Sequence, residues 1–550
     1  MKHLLWCLRL LLSLACLQKA FSGPTKRKAD DSSGSEEWAD YSVSICTRNE
    51  IPASIAKKSI DKAKKAGAAS VKIAEKHRQA KNAARTMRRL RQRVTRSQSW
   101  PDLYWAQIPI KVENTRVEVW YPFLLPHEWI GDFLLQPNAA HACLPKANTK
   151  LFQTFHSLCA SFGLPAYGTV PFGLHGDAVP VLGTIRKASM DFITVNLPAC
   201  KWHERVPFTV FQSKYSYEQE TKDAIWRIFV WSATCLKEGT YPTCRHDGGP
   251  WRGTDKKRSK LSATRLPAKG ILCEIRGDWD WFNSWLQCPT HNTKRGLCWM
   301  CHATPENYKN QMPNERLHVK TRATFVSDVL AMGKKLFCFW NWPELAPSML
   351  VCPDWLHTMD QGIGADICGM LLTEIAYNLE GRSFKTKISN LWTEVKQLYA
   401  ELKVDYRLAN LTPEILNKGK KSRGPPTLKG PAAQIRHFVP LLPILAEKHL
   451  DPSVPHQLAC QKLARYLAQT YDAMETNEPQ ALQKAGLKMA KQYDELEKEA
   501  LRLDPETTNW HIMPKIHLCQ HLCEMGVPVK DFWTYKDETM GGTLAKPQCQ

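Results

Sequence analysis

Away from its first two dozen residues the chain has no run of about 18 apolar residues, so no internal membrane span is expected. Internal repeats are absent as well, which sets repeat architectures aside. Glycosylation sequons are nearly missing, Asn410-Leu411-Thr412 being the one that occurs. Acidic residues are in short supply, with 53 Asp+Glu against 75 Lys+Arg and a formal charge of +22. A chain this basic is expected to meet a polyanion. Cysteine is plentiful at 19, but the number is odd, and Cys159, Cys338, Cys368 and Cys460 stand singly in apolar surroundings. That pattern suits buried reduced thiols rather than a disulfide framework.

What the chain does have is material for a core. Its 550 residues are 43% hydrophobic and include 20 tryptophans. This is enough for two to four domains or one large elaborated one.

The positive charge is concentrated. Residues 57–98 hold fifteen Lys/Arg against two acids, Asp61 and Glu75. Alanine, lysine and arginine favour helix there, with Gly67 the weak point. Apolar residues are sparse, so such an arm orders on a phosphate backbone or stays a solvated tail. Lys64, Lys65, Arg88, Arg89 and Arg91 are its candidate phosphate contacts. Two further basic segments, 245–269 with Lys256, Lys257 and Arg258, and 418–430, read as exposed loops. DNA is the expected partner, and a membrane surface or an acidic protein is the alternative.

Two address signals conflict. "MKHLLWCLRLLLSLACLQKAFSG" resembles a secretory signal, with Ala20 and Ser22 placed for cleavage, and Lys26, Arg27 and Lys28 form a cluster of nuclear-import type. The cysteine usage favours a reducing compartment, so the nucleus is expected, with the secretory pathway as the alternative.

One cysteine cluster has ligand spacing: Cys288-x2-His291-x6-Cys298-x2-Cys301. Two pairs, each two residues apart and joined by a turn with Gly296, suit one tetrahedral structural Zn²⁺. His511, His517 and His521 lie in an apolar, proline-broken segment and read as core histidines.

The order of elements carries the functional reading. Residues 168–176 read as an extended segment ending at Asp177, and 188–197 as a β-rich run. Residues 217–239 read as a helix closed by Gly239, and 269–278 as a strand ending at Asp278. Carboxylates from neighbouring strand ends can share two divalent ions about 3.5–4 Å apart, as phosphodiester chemistry asks.

In "LHGDAVP", "EIRGDWDWF", "CWMCH", "CPDWLHTMDQG" and "FWTYKDETMGG", taken in that order, the chain resembles a DDE-type transposase of eukaryotic DNA transposons. The resemblance covers roughly residues 165–545. It implies an α/β ribonuclease-H-like mixed sheet flanked by helices, with a small zinc-knuckle-like insert, a large all-helical insertion and a basic helical N-terminal arm. It implies catalytic Asp177, Asp278 and Glu538 holding Mg²⁺ or Mn²⁺, with Asp354 and His357 as an auxiliary pair. Asp280 competes for the second position, and Asp537 and Glu524 for the third. The chain ends twelve residues after Glu538, little for the helix that should carry it.

Each site residue also has a plain structural role open to it. Asp177 can be a turn residue, Asp278 a helix cap, Asp354 and His357 caps of the following helix, and Glu538 a surface acid. The expected organisation is a signal-like segment (1–22), a basic arm (23–99), and a linker with N-terminal elements (100–164). The first part of the catalytic domain (165–310), a connecting segment (311–384), a helical insertion (385–505) and a return segment (506–550) follow. Metal-dependent DNA cleavage and strand transfer, by a protein that can self-associate, is the first expectation. A non-catalytic DNA binder on the same scaffold is the second, and a secreted cysteine-containing protein the third.

Overall fold

The computed structural model describes residues 101–135, 139–147, 149–180, 189–199, 205–290, 296–309, 319–418, 424–531 and 533–535. The signal-like segment, the basic arm with Lys64, Lys65, Arg88, Arg89 and Arg91, and His291, Asp537 and Glu538 lie outside them.

The fold is mixed α/β, with a mixed sheet flanked by helices. The described chain begins with an antiparallel hairpin, β1 (Tyr104–Val112) and β2 (Thr115–Phe123), in the stretch expected to hold a linker with N-terminal elements. Its two-residue turn places Glu113 and Asn114 at φ 48° and 66°. Glycine or asparagine at such positions signals a hairpin turn, and glutamate conceals it. Helices α1 (Pro126–Leu134) and α2 (Lys150–Ser161) follow.

The central sheet has four strands in the order β5-β4-β3-β6. Strand β4 (Ser189–Asn196) pairs antiparallel with both β3 (Thr169–Pro180) and β5 (Val206–Gln212). Helix α3 (Glu218–Glu238) then crosses over, and β6 (Lys269–Arg276) pairs parallel to β3. Helix α4 (Lys256–Leu261) lies in the crossover and α5 (Trp279–Leu286) follows β6. A single parallel bridge from Ile275 to Val351 extends the sheet beyond β6.

The strand and helix bounds read from the sequence hold to within a few residues. Gly239 closes α3 in the left-handed region, at φ 73°. Asp177, however, does not end β3, which runs on to Pro180.

The register decides what faces where. Phe172 pairs with Leu272 but Gly173 pairs with Glu274, so Cys273 is a one-residue bulge in β6. Strand side chains alternate. Leu174 and Gly176 on β3 therefore share a face with Ile275, Ile193 and Val195. Buried Ile225, Trp226, Ile228 and Phe229 of α3 cover that face. His175 and Asp177 point the other way, with Glu274 and Arg276.

Position 176 has no room for a side chain. A Cβ there would enter the Trp281 ring, and one at Gly277 would lie 2.7 Å from the Gly176 carbonyl. Trp281 belongs to α5 and is nearly stacked on Trp285, while Trp226 meets both edge-on. The Trp226 indole donates to the Trp285 carbonyl at 2.7 Å.

After β6 come α6 (Arg322–Ala331), a π-helical stretch (Leu356–Ile363), α7 (Gly364–Asn378) and α8 (Phe384–Glu401). Then follow α9 (Ala432–Phe438), α10 (Leu442–His449), α11 (Pro455–Glu475), α12 (Pro479–Leu503) and α13 (Lys515–Glu524). The stripe Cys460, Leu463, Leu467, Tyr471 and Met474 is buried in α11. No helix among the described residues is long and apolar enough to cross a membrane.

Gly176→Ala is expected to lower stability by about 1–3 kcal/mol through overpacking against Trp281. Denaturant unfolding checks this, and an unchanged midpoint would show that Trp281 does not hold α5 on β3.

Candidate metal centre and acidic strand ends

Cys298 and Cys301 lie in a short loop whose backbone is held at three points. The Leu297 amide donates to Ala303 at 2.8 Å, Lys320 to Met300 at 2.9 Å, and the Met300 amide to the Cys298 sulfur at 3.2 Å. Their partners are His517 and His521, more than two hundred residues later. One helical turn apart on α13, these share a face.

The four ligand atoms lie within 4.8 Å of one another. Cys301 Sγ is 3.2 Å from His517 Nε2, Cys298 Sγ is 3.5 Å from His521 Nε2, and the two Nε2 atoms are 3.0 Å apart. A tetrahedron with bonds of about 2.0–2.3 Å has edges of roughly 3.3–3.8 Å. The arrangement is therefore close to a collapsed tetrahedral shell and can hold a metal such as zinc. The sulfurs behave as one acid. Hydrogen bonding with Cys298 pulls the Cys301 thiol down, while burial pushes Cys298 up. A cation between the two sulfurs would favour their thiolate forms.

This revises the ligand set. The spacing of Cys298 and Cys301 was informative, but Cys288 is outside the group, and its buried thiol is raised by desolvation. His517 and His521, read as core histidines, complete the group. The signal that points to them is their four-residue spacing on a helix, which a nearby Cys-x2-Cys invites.

At the other end of α13, Lys515 is half-buried and donates to the His357 carbonyl at 2.9 Å. Burial lowers its pKa, opposed by Asp366, Asp278, Asp280 and Asp354. The helix thus carries an ammonium among four acids.

Asp278 caps α5, its Oδ1 accepting from the Trp281 amide at 2.6 Å. Its backbone is still extended, at φ −86° and ψ 171°. His175 pairs with Arg276, the last residue of β6; Asp177 and Asp278 each follow two residues further along the chain, Asp177 still within β3 and Asp278 beyond the end of β6. Asp177 is nearly buried, and one oxygen accepts from the Ala178 amide at 2.7 Å. Asp280 is exposed in the first turn of α5. Glu524 ends α13, about 13 Å along the helix from Lys515. Among the described residues the acids form no group of three at metal-holding distance.

Asp354 has a different job from the auxiliary one the resemblance implied. Its carboxylate accepts from the His357 amide and ring, at 2.9 and 2.8 Å, and from the Thr534 amide and hydroxyl, both at 2.8 Å. Four donors fill the roughly four lone-pair sites of a carboxylate. Burial alone would raise its pKa, but these donors hold it below the usual range. Asp354 clamps the chain at Thr534, and Asp360 accepts from the Tyr535 hydroxyl.

The basic segments are less free than their composition suggests. Arg258 is buried between Glu128, at 2.6 Å, and Asp255, at 3.0 Å, so it cannot reach a phosphate. Lys257 lies 3.9 Å from Asp132, and Lys256 is exposed. Leu428, in the third basic segment, is buried and its amide donates to the Ala365 carbonyl at 2.9 Å.

The chain matches no protein-family model and no curated protein.

Purified protein is expected to carry about one zinc per chain, measured by plasma emission spectroscopy. Cys298→Ser, His517→Ala and His521→Ala should lose it, and Cys288→Ser should keep it. Free zinc at a thousand times Kd would contribute about 4 kcal/mol of stability. Retention in His521→Ala with loss in Cys288→Ser would restore the ligand set read from sequence.

Burial raises Asp360 to about 7, against the hydrogen bond from Tyr535. A carboxyl raised in the fold stabilises most below its unfolded pKa, and that contribution fades as pH rises towards 7. Asp360→Asn should therefore flatten the decline in unfolding midpoint between about pH 4 and pH 7. An unaltered profile would refute this role.

Proposed function

We propose that the chain is a transposase-like protein with a ribonuclease-H-like catalytic domain, acting on DNA in a divalent-metal-dependent cleavage and strand-transfer reaction. The observation that carries the reading is that Asp177 and Asp278 each follow by two residues the last matched pair, His175 and Arg276, of parallel β3 and β6. The bulge at Cys273 supports it, since it sets Asp278 to the same face as Asp177. The topology also fits: an acid-bearing strand, two antiparallel strands, a helix, and a second strand laid parallel beside the first.

In this reading Asp177, Asp278 and Glu538 hold Mg²⁺ or Mn²⁺. Hard oxygen ligands suit these ions, which supply an activated attacking oxygen and stabilise the leaving one. Trp281 keeps Asp278 rigid against β3. Asp354, through Thr534, fixes the chain a few residues before Glu538. The Cys/His cluster holds a structural Zn²⁺ that anchors α13, and with it Lys515, beside the acids. The basic arm adds phosphate contacts without sequence information, and the nucleus is the working compartment.

A second reading is favoured by one observation: Asp278 already has a structural task as a helix cap. In that reading the chain is a non-catalytic DNA binder on the same scaffold.

Supercoiled plasmid incubated with Mg²⁺ or Mn²⁺ tests the choice. Nicking is expected in the wild type, at least a hundredfold weaker in Asp177→Asn and Asp278→Asn, and retained in Asp280→Asn. Plasmid bound but never nicked by the wild type would leave the second reading.

A further inference from the structure

A cleft of about 380 Å³ opens where α5 ends, at the opposite end of that helix from Asp278. Its walls come from three places in the chain: Ser216, Gln219 and Lys222 around the start of α3, Asn283 and Ser284 from α5, and Lys334 after α6. With Gln287, the lining has two lysines, three amides and two hydroxyls, and is rich in donors. The one acid in it, Glu218, is exposed.

The two ammonium groups are not ion-paired as the buried Arg245, Arg258 and Arg276 are. Lys222 donates to the Ser284 carbonyl at 3.0 Å and to its hydroxyl, both neutral groups. Its ammonium lies 5.3 Å from the Trp285 ring centroid. Burial lowers the Lys222 pKa, Asp191 opposes this, and repulsion from Lys334 adds to it. The half-buried Lys334 ammonium makes no hydrogen bond or ion pair among the described residues. Like charges gathered at one opening are stabilised by an anion between them.

The cleft is also held in shape at a conformational cost. Glu218 and Gln287, both in its lining, have left-handed backbones, at φ 46° and 61°. Such strain in residues other than glycine persists where the surroundings enforce it, and it gathers at functional sites. The Gln287 side chain does the enforcing. It donates to the Lys335 carbonyl at 2.7 Å and accepts from the Phe337 amide at 2.9 Å. These two bonds lash the segment bearing Lys334 to the end of α5.

We propose that this cleft binds a phosphate group. Resting on the DNA reading above, that group is a backbone phosphate of the strand processed at the acidic site. The eight residues of α5 span about 12 Å. At about 3.4 Å of axial rise per nucleotide, the cleft lies three or four nucleotides from Asp278. It would hold the strand in register while the acids act.

Two titrations of the full-length protein test this. Inorganic pyrophosphate is followed by calorimetry, and a labelled 20-base-pair duplex by fluorescence anisotropy at several NaCl concentrations. Lys222→Gln and Lys334→Gln should each weaken pyrophosphate binding at least tenfold. Each should also lower the slope of log K against log salt by about 1. Lys334→Arg should keep both. Because the Lys334 ammonium has no internal partner, Lys334→Gln should melt with the wild type, which separates lost binding from lost folding. Absent pyrophosphate binding in the wild type, or equal binding in the variants, would overturn the site. Lost pyrophosphate binding with DNA affinity and salt slope unchanged would keep the phosphate cleft and overturn its assignment to DNA. Nicking is read separately, so a wild type that never nicks leaves the cleft's result standing.

Discussion

A single extra residue, Cys273, decides which way the second half of β6 points. Up to Leu272 the strand is in step with β3, and beyond the bulge it is one residue out. Because side chains alternate, that slip moves Glu274 and Arg276 from the α3 side of the sheet to the opposite side. There they form an ion pair of 2.7 Å beside His175 and Asp177. Ile275 takes the α3 side and is fully buried. A regular strand would bury the two charged residues under α3 and turn Ile275 away from it. The polar face and the apolar core therefore depend on the same irregularity.

The glycines next to the acids complete this arrangement. Gly176 and Gly277 bring the two strand ends so close that Trp281 can lie across them. The indole closes the apolar side of the sheet directly behind Asp177, and the Trp281 amide is the group Asp278 caps. One residue thus couples the packing of α5 to the position of a carboxylate. Helix α13 does the same from the other side of the sequence. Its histidines meet the Cys298 loop, and its first residue places an ammonium near Asp278 and Asp354. The same helix therefore links the Cys/His group to the charge balance of the acids.

What could be read from the sequence followed from local pattern. Alternation exposed the strands, a helical period and Gly239 exposed α3, and 3–4 spacing exposed the stripe on α11. The order of two acid-bearing strands around a helix was legible, and the structure adds that these strands are neighbours in matching register. The bulge was not legible, since "ILCEIR" reads as an unbroken strand. Half of the metal group was legible, because Cys298 and Cys301 are close in the chain. His517 and His521 are 216 or more residues away, a separation that local spacing cannot bridge. Arg258 failed for a related reason. Composition counts a cation but does not reveal Glu128, 130 residues earlier, which neutralises it.

That failure separates two kinds of positive charge in this protein. Arg245, Asp255, Arg258 and Glu128 form a buried chain in which each cation meets an acid. Buried charges persist when paired in this way, and removing one partner leaves the other costly. Such cations hold the fold together and contribute little to the field outside it. Lys222 and Lys334 are different, because they share a cleft without an ion pair. A long basic chain is thus a poor guide to where a polyanion binds until its matched charges have been subtracted. In the described fold, the subtraction leaves the end of α5 as a place where a phosphate would complete what the protein's own acids do not.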